Sequence, residues 1–183
     1  EMMDEILGGM DRELSGLLRA EYTKRGIKFL LHTKVTGVSQ TPEGITVTYE
    51  QDGMEGTVCG EKLLMSVGRR PVLNGFGLEN LNLELTERRN VKVDEHLQTS
   101  VPGVYVCGDL NGVSLLAHTA VREAEVAVNH ILGRNDAMSY RAIPGVVYTN
   151  PEIAGVGETE ESASAKGITC QVIKLPMAYS GRF

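Results

Sequence analysis

The run TSVPGVYVCGDLNGVSLLAHTAVREA, residues 99–124, constrains the fold more than any other stretch of the chain. Val101, Val104 and Val106 alternate with shorter or polar neighbours behind a Pro102-Gly103 turn, so GVYVCGD reads as a short buried strand ending at Gly108-Asp109. A carboxylate at the carboxyl end of such a strand faces a ligand crevice. A helix follows from near Ser114, with Ala117, Ala120, Ala124 and Ala127 on one narrow side, where missing bulk admits another backbone or a flat ligand. Its unpaired N–H groups point toward the crevice that Asp109 faces.

The chain has 183 residues, enough for a real core in one large domain or two small ones. Its formal net charge of -6 argues against nucleic acid as a main partner. No apolar run reaches spanning length and no signal-peptide pattern opens the chain, so the expectation is a cytoplasmic protein without membrane contact. Cys59, Cys107 and Cys170 make neither a CxxC nor a CxxxxC pair. Neither a metal site nor a redox dithiol is expected from them, and they read as small, semi-buried hydrophobes.

Leu14, Leu17, Leu18 and Tyr22 form an apolar stripe between Asp11 and Arg25, with acids in the first turn, bases in the last, and Gly26 as a stop. Ile27 to Leu31 and Lys34 to Ser39 are strand candidates. Residues 44–50 alternate as one arm of a hairpin turning at Pro42-Glu43-Gly44. Asp52-Gly53 marks a second turn, and Thr57 to Val67 supplies a further strand pair with Leu63, Leu64 and Met65 buried. Residues 72–98 are loop-rich, with a short helix and then an extended segment around Leu78, Leu81, Leu83 and Leu85, and a small strand at Val91 to Val93. The helix after Asp109 runs to Leu132 and stops at Gly133. Beyond the polar break GRNDAMS, strands are expected at Val146 to Tyr148, Ile153 to Val156 and Thr169 to Leu175. A helix capped by Thr159, with Ser162 three residues on, ends at Gly167. His118 lies in a first helical turn, where the dipole disfavours a cation, so it is expected neutral.

T-x6-G-D at a strand end, followed by L-A-H opening an Ala-rich helix, resembles the second flavin-binding segment of the FAD-dependent pyridine nucleotide-disulfide oxidoreductases. Related glutathione reductases carry Thr-Pro where this chain has Ala117-His118, which tilts the resemblance toward the dihydrolipoamide dehydrogenase branch. The resemblance implies that Gly108-Asp109 meets FAD, Asp109 accepting a hydrogen bond from the ribityl chain. It also implies that backbone N–H groups around Leu116, Ala117 and His118 meet the pyrimidine edge of the flavin, with the His118 ring packed nearby. A reduced flavin carries negative charge on that edge, and a helix N-terminus presents about half a positive charge. By the same resemblance Glu1 bonds the adenosine ribose hydroxyls, favouring NAD over NADP, and Gly68 in the loop Gly68-Arg69-Arg70-Pro71 lies against the nicotinamide nucleotide.

The implied fold class is α/β. It comprises partial Rossmann-like FAD and NAD(P) domains with a β-meander, plus the start of an α+β interface domain. Residues 1–71 correspond to the later half of the NAD domain, 72–138 to the closing segment of the FAD domain and 139–183 to the beginning of the dimerisation domain. Family catalysis uses a CxxxxC dithiol and a His-Glu pair, and neither is expected here, so the catalytic list is empty and the chain reads as an inactive portion of a parent enzyme. For that parent the resemblance implies NAD-dependent oxidation of dihydrolipoamide through FAD, a lipoyl-bearing protein substrate, a 2-oxo acid dehydrogenase complex and a homodimer. Two alternatives stay open: a mercuric or glutathione reductase-like flavoprotein, and a non-catalytic oligomerising α/β scaffold.

Overall fold

Asp11 starts the first helix. In the computed structural model, which describes residues 1–181, its carboxylate accepts from the backbone N–H of Glu13 at 3.0 Å and of Leu14 at 3.1 Å. Those donors would otherwise be orphaned at the helix start. Helix α1 then spans Arg12–Lys24. Along its expected stripe Leu18 is buried and Tyr22 half-buried, whereas Leu14 and Leu17 remain exposed.

The chain divides into two compact units, Glu1–Leu64 with the residues from Val146 onward, and Met65–Gly145. The first unit carries the expected meander. Strands β1 (Thr33–Thr41), β2 (Gly44–Gln51) and β3 (Met54–Gly60) pair antiparallel in the order β1-β2-β3. Thr41 pairs with Gly44 across Pro42-Glu43, and Gln51 with Met54 across Asp52-Gly53, so both tight turns fall where the sequence puts them. Past the meander, β4 (Gly145–Val147) and β5 (Ile153–Gly155) form a two-stranded sheet. Helix α3 (Glu160–Ala165) follows, held by a reciprocal cap: Thr159 Oγ1 accepts from Ser162 N–H at 3.1 Å, and Ser162 Oγ accepts from Thr159 N–H at 2.8 Å. Leu18, Ile153 and Ala163 are the buried apolar residues of this unit.

Three expected strands do not form. Ile27 to Leu31 is extended but bonds the opening residues only at scattered points, Leu30 carbonyl to the Glu1 ammonium and, just beyond, His32 N–H to the Met3 carbonyl. Residues 61–67 and 169–175 also lack a ladder. An apolar run becomes a strand only beside a partner edge, and among the described residues none pairs with either. Leu64 and Met65, expected buried, are 86% and 64% exposed, and Leu63 lies at the surface. Cys59 and Cys170 are likewise exposed, against the semi-buried expectation, while Cys107 is half-buried. The interface segment expected to run to Phe183 includes Arg182 and Phe183, which lie outside the described residues.

In the second unit the core is Leu97, Val126 and Ala127, with Val93, Tyr105, Cys107 and Met138 packed against it. A 3-10 turn covers Leu78–Leu81, and Leu85 bridges Val91. The expected strand GVYVCGD, residues 103–109, is reduced to one bridge, Gln98 with Tyr105, flanked by Thr99 N–H to Val104 carbonyl and Val106 N–H to Leu97 carbonyl. Val106 is buried as anticipated. Gly108–Leu110 then turns as a 3-10 element, and helix α2 spans Ala117–Ile131. It begins later than expected because Ser114 is occupied with Thr119, their hydroxyls 2.8 Å apart, and Leu116 stays extended. After Gly133 the chain doubles back along α2. Asp136 accepts from Arg122 at 2.5 and 2.9 Å and from Asn129 at 2.8 Å, Tyr140 donates to Glu123, and His118 Nε2 meets the Pro144 carbonyl at 2.9 Å. Among the described residues no helix is long and apolar enough to cross a membrane.

Two outcomes follow from these contacts. Asp11→Ala is expected to lower stability by about 1 kcal/mol, the usual worth of a helix N-cap, read as a shift of the denaturant midpoint. The Arg122 guanidinium, helped by Asn129, holds the Asp136 carboxyl down at about 2, against 3.8 ordinarily. A carboxyl depressed in the folded state stabilises above its unfolded value and loses that contribution as pH falls from 3.8 toward about 2. Unfolding measured across that window should therefore lose its dependence on this group in Asp136→Asn.

Candidate cofactor-binding site

The site begins with a buried acid. Glu123 of α2 is fully buried, and its Oε2 accepts from Gly108 N–H at 2.5 Å. Its Oε1 accepts from Asn111 Nδ2 at 3.0 Å and from the Tyr140 hydroxyl at 2.8 Å. Asn111 is itself fixed, because its Oδ1 accepts from Val113 N–H at 2.9 Å. The turn 108–113 is thus held from beneath at several points. Gly108 has φ +74 and lies against α2, where a Cβ would come within 3.3 Å of Ala120 Cβ. At Gly112 a Cβ would sit 2.1 Å from the Asn90 amide nitrogen, so only glycine fits.

This turn presents Asp109 to an open cleft of about 750 Å³ of unfilled space, lined also by Arg69, Arg70, Arg88, Asn90 and Leu115. The Asp109 side chain is 46% exposed. Its Oδ2 accepts from Arg69 Nη2 at 3.2 Å and Nε at 3.3 Å, an exposed pair of little energetic weight. One residue past Leu115 the N-terminus of α2 begins. It has no side-chain cap and no acid in its first turn, so its N–H groups and the positive end of its dipole are uncompensated from within the helix. Arginines, an acceptor carboxylate and bare amide donors beside one cleft suit a ligand with anionic and hydroxyl groups.

Of the sequence-named residues, Asp109 lines the cleft, Gly108 lies beneath it against Ala120 of α2, and Leu116, Ala117 and His118 form the start of α2, next in sequence to the cleft residue Leu115. The His118 ring is turned to the Pro144 carbonyl. Gly68, exposed with φ +111, belongs to the same unit and immediately precedes Arg69. Glu1 belongs to the other unit. It is exposed, its carboxylate accepts from Met3 N–H at 2.9 Å, and its carbonyl accepts from Thr33 N–H.

Sequence reasoning missed Glu123, Asn111 and Tyr140. Of the alanine stripe expected on α2, Ala120 lies against the Gly108 backbone and Ala127 is buried, whereas Ala117 and Ala124 are exposed; the buried face is Thr119, Glu123, Val126 and Ala127. An acid in register with Thr119, Val126 and Ala127 was the available signal, since a carboxyl enters a buried face only where donors meet it. Burial, then the neighbouring Glu123 carboxyl, pushes both the Tyr140 hydroxyl and the Cys107 thiol upward from their ordinary values.

The chain is similar to known proteins in sequence and in fold. The sequence pattern described as pyridine nucleotide-disulphide oxidoreductase matches residues 1–124, and that of the dimerisation domain of the same proteins matches 143–183. The dihydrolipoyl dehydrogenase of Thermus scotoductus is 41% identical over 184 residues, covering all of this chain and 40% of that protein. The dihydrolipoyl dehydrogenase of Bacillus subtilis is 38% identical, covering 98% of this chain and 38% of that protein. Among solved structures, LpdA from Mycobacterium tuberculosis superposes with a TM-score of 0.86 at 30% identity, over 99% of this chain and 39% of its own. The chain therefore spans about 40% of the length of the curated relatives it matches, and with an α/β fold of this kind it belongs to the pyridine nucleotide-disulphide oxidoreductase family.

Proposed function

We propose that this chain forms part of a dihydrolipoamide dehydrogenase, contributing residues to its FAD and NAD sites and to its subunit interface. The observation that carries the reading is Asp109 in an arginine-lined cleft whose wall reaches Leu115, the residue just before the uncapped start of α2. The donor set fits a flavin. Among the described residues Oδ1 of Asp109 has no partner and can accept from a ribityl hydroxyl, while the amides at Leu116, Ala117 and His118 can donate to the pyrimidine edge. When bound, FAD supplies two-electron transfer between a dithiol and NAD. The chain's residues hold and orient it, and the positive end of α2 favours an electron-rich edge there.

In the same reading, Gly68 allows close backbone approach by the nicotinamide nucleotide, and Glu1 accepts from the adenosine ribose hydroxyls. A carboxylate there would repel a 2'-phosphate, so the nucleotide is NAD. Residues 1–71 belong to the NAD domain, 72–138 to the FAD domain and 139–183 to the dimerisation domain. The dimerisation-domain match supports a homodimer, and the relatives' names support a lipoyl-bearing protein substrate within a 2-oxo acid dehydrogenase complex. A cytoplasmic location completes the reading, consistent with the lack of any long apolar run in the sequence.

The isolated 183-residue chain is expected to show no stoichiometric yellow flavin band and no NADH-coupled turnover of lipoamide, and either would contradict the assignment as a contributing part. In the whole enzyme Asp109→Ala should weaken FAD binding about tenfold or more, the worth of a hydrogen bond to a charged group. A titration of apoprotein with FAD reads this directly, and unchanged affinity would refute the role of Asp109.

A further inference from the structure

The geometry points to Glu123 as a positioning residue for the cofactor site: its buried carboxyl group fixes the turn Gly108–Asn111 and thereby aims Asp109 at the cleft. This rests on the reading of Asp109 as a flavin ligand. Glu123 touches no cleft residue but Asp109's own turn, and acts on the ligand only through it.

The chemistry of the donors requires an acid at this position. Gly108 presents a backbone N–H to Oε2, a donor that cannot be reversed. Asn111 presents its Nδ2 to Oε1 and cannot flip, since its Oδ1 is taken by Val113 N–H. Two fixed donors therefore meet the two oxygens of one side chain. A carboxylate answers both, whereas an amide has one oxygen and would set its NH2 against the other donor. In a site closed to water the mismatch leaves a donor unanswered, and the turn must shift to relieve it.

Apart from Glu123, the turn is held by Val91 N–H, which donates to the Leu110 carbonyl at 2.9 Å, and by its own 3-10 bond. Gly108–Leu110 is a single 3-10 element whose C-cap N–H, that of Asn111, bonds the Gly108 carbonyl. Gly108 stands in the left-handed region with Ala120 of α2 just below. Because Glu123 lies on the same helix whose first turn supplies the amide donors, it also sets where Asp109 stands relative to them. Seven residues separate Glu123 from Leu116, about 10 Å of helix, so one rigid element fixes both halves of the binding constellation.

A double-mutant cycle in the whole enzyme tests this, reading FAD dissociation constants from titrations of apoprotein with FAD. Glu123→Gln should weaken FAD about tenfold in the wild-type background and have no further effect in Asp109→Ala, because there is no longer a carboxylate to aim. A purely structural role would lower the melting temperature but leave affinity alone, or cost the same factor in both backgrounds. Either result overturns the proposal. Unchanged affinity in Asp109→Ala alone would instead overturn the flavin-ligand reading beneath it, which separates the two failures. Should Glu123→Gln not fold, Tyr140→Phe removes one donor at almost constant volume. It carries the same cycle, with a loss of about threefold expected in the wild-type background and none in Asp109→Ala. Equal losses in both backgrounds, or no loss in the wild type, would sink the idea there too.

Discussion

The second unit depends on the answering of one buried carboxyl group. A carboxyl taken from water costs several kcal/mol unless its oxygens are met by donors, and around Glu123 those donors come from two separate stretches: Gly108 and Asn111 of the turn that bears Asp109, and Tyr140 beyond the helix. Each is local in space and distant in sequence. The core of Leu97, Val126 and Ala127 lies on the same side of α2, so apolar burial and polar satisfaction constrain the helix together. Turning Glu123 away from this face would leave Gly108 N–H and Asn111 without their acceptor.

What could be read from sequence and what could not divide along this line. Signals closed within a few residues were legible: the helix start at Asp11, the Pro42-Glu43 and Asp52-Gly53 turns, and the Thr159–Ser162 cap, where the partners are at most three residues apart. Asp109 could be singled out because its whole context is continuous, and it lines an open cleft. Strands at 27–31, 61–67 and 169–175 were misread because an apolar run states only that burial is wanted, and the covering edge is non-local information. Glu123 escaped notice for a related reason. A glutamate within VREAEVAV resembles any solvated helix position until the donors from residues 108, 111 and 140 are placed around it.

Several apolar surfaces are uncovered in both units. Leu17 on α1, Val58 on β3, and Val121 and Ile131 on α2 are exposed. The chain spans about 40% of its curated relatives' length, and in a family of larger proteins such faces are where further elements would pack. The turn bearing Asp109 keeps its shape without a sheet beneath it because its fastening is made by side chains.

The return of residues 133–144 along α2 gives the unit a mechanical direction. Its anchors are Asp136 to Arg122 and Asn129, Tyr140 to Glu123, and Pro144 to His118 at the helix start. Tension arriving through Gly145 would load these one after another, as a strip is peeled from its end, and not all at once. The first bond to yield would be the one to His118, and the second the Tyr140 bond to Glu123. A pull on the outgoing chain would thus reach the mouth of the cleft and then the fastening of its acid, well before it disturbed the Arg122–Asp136 clasp.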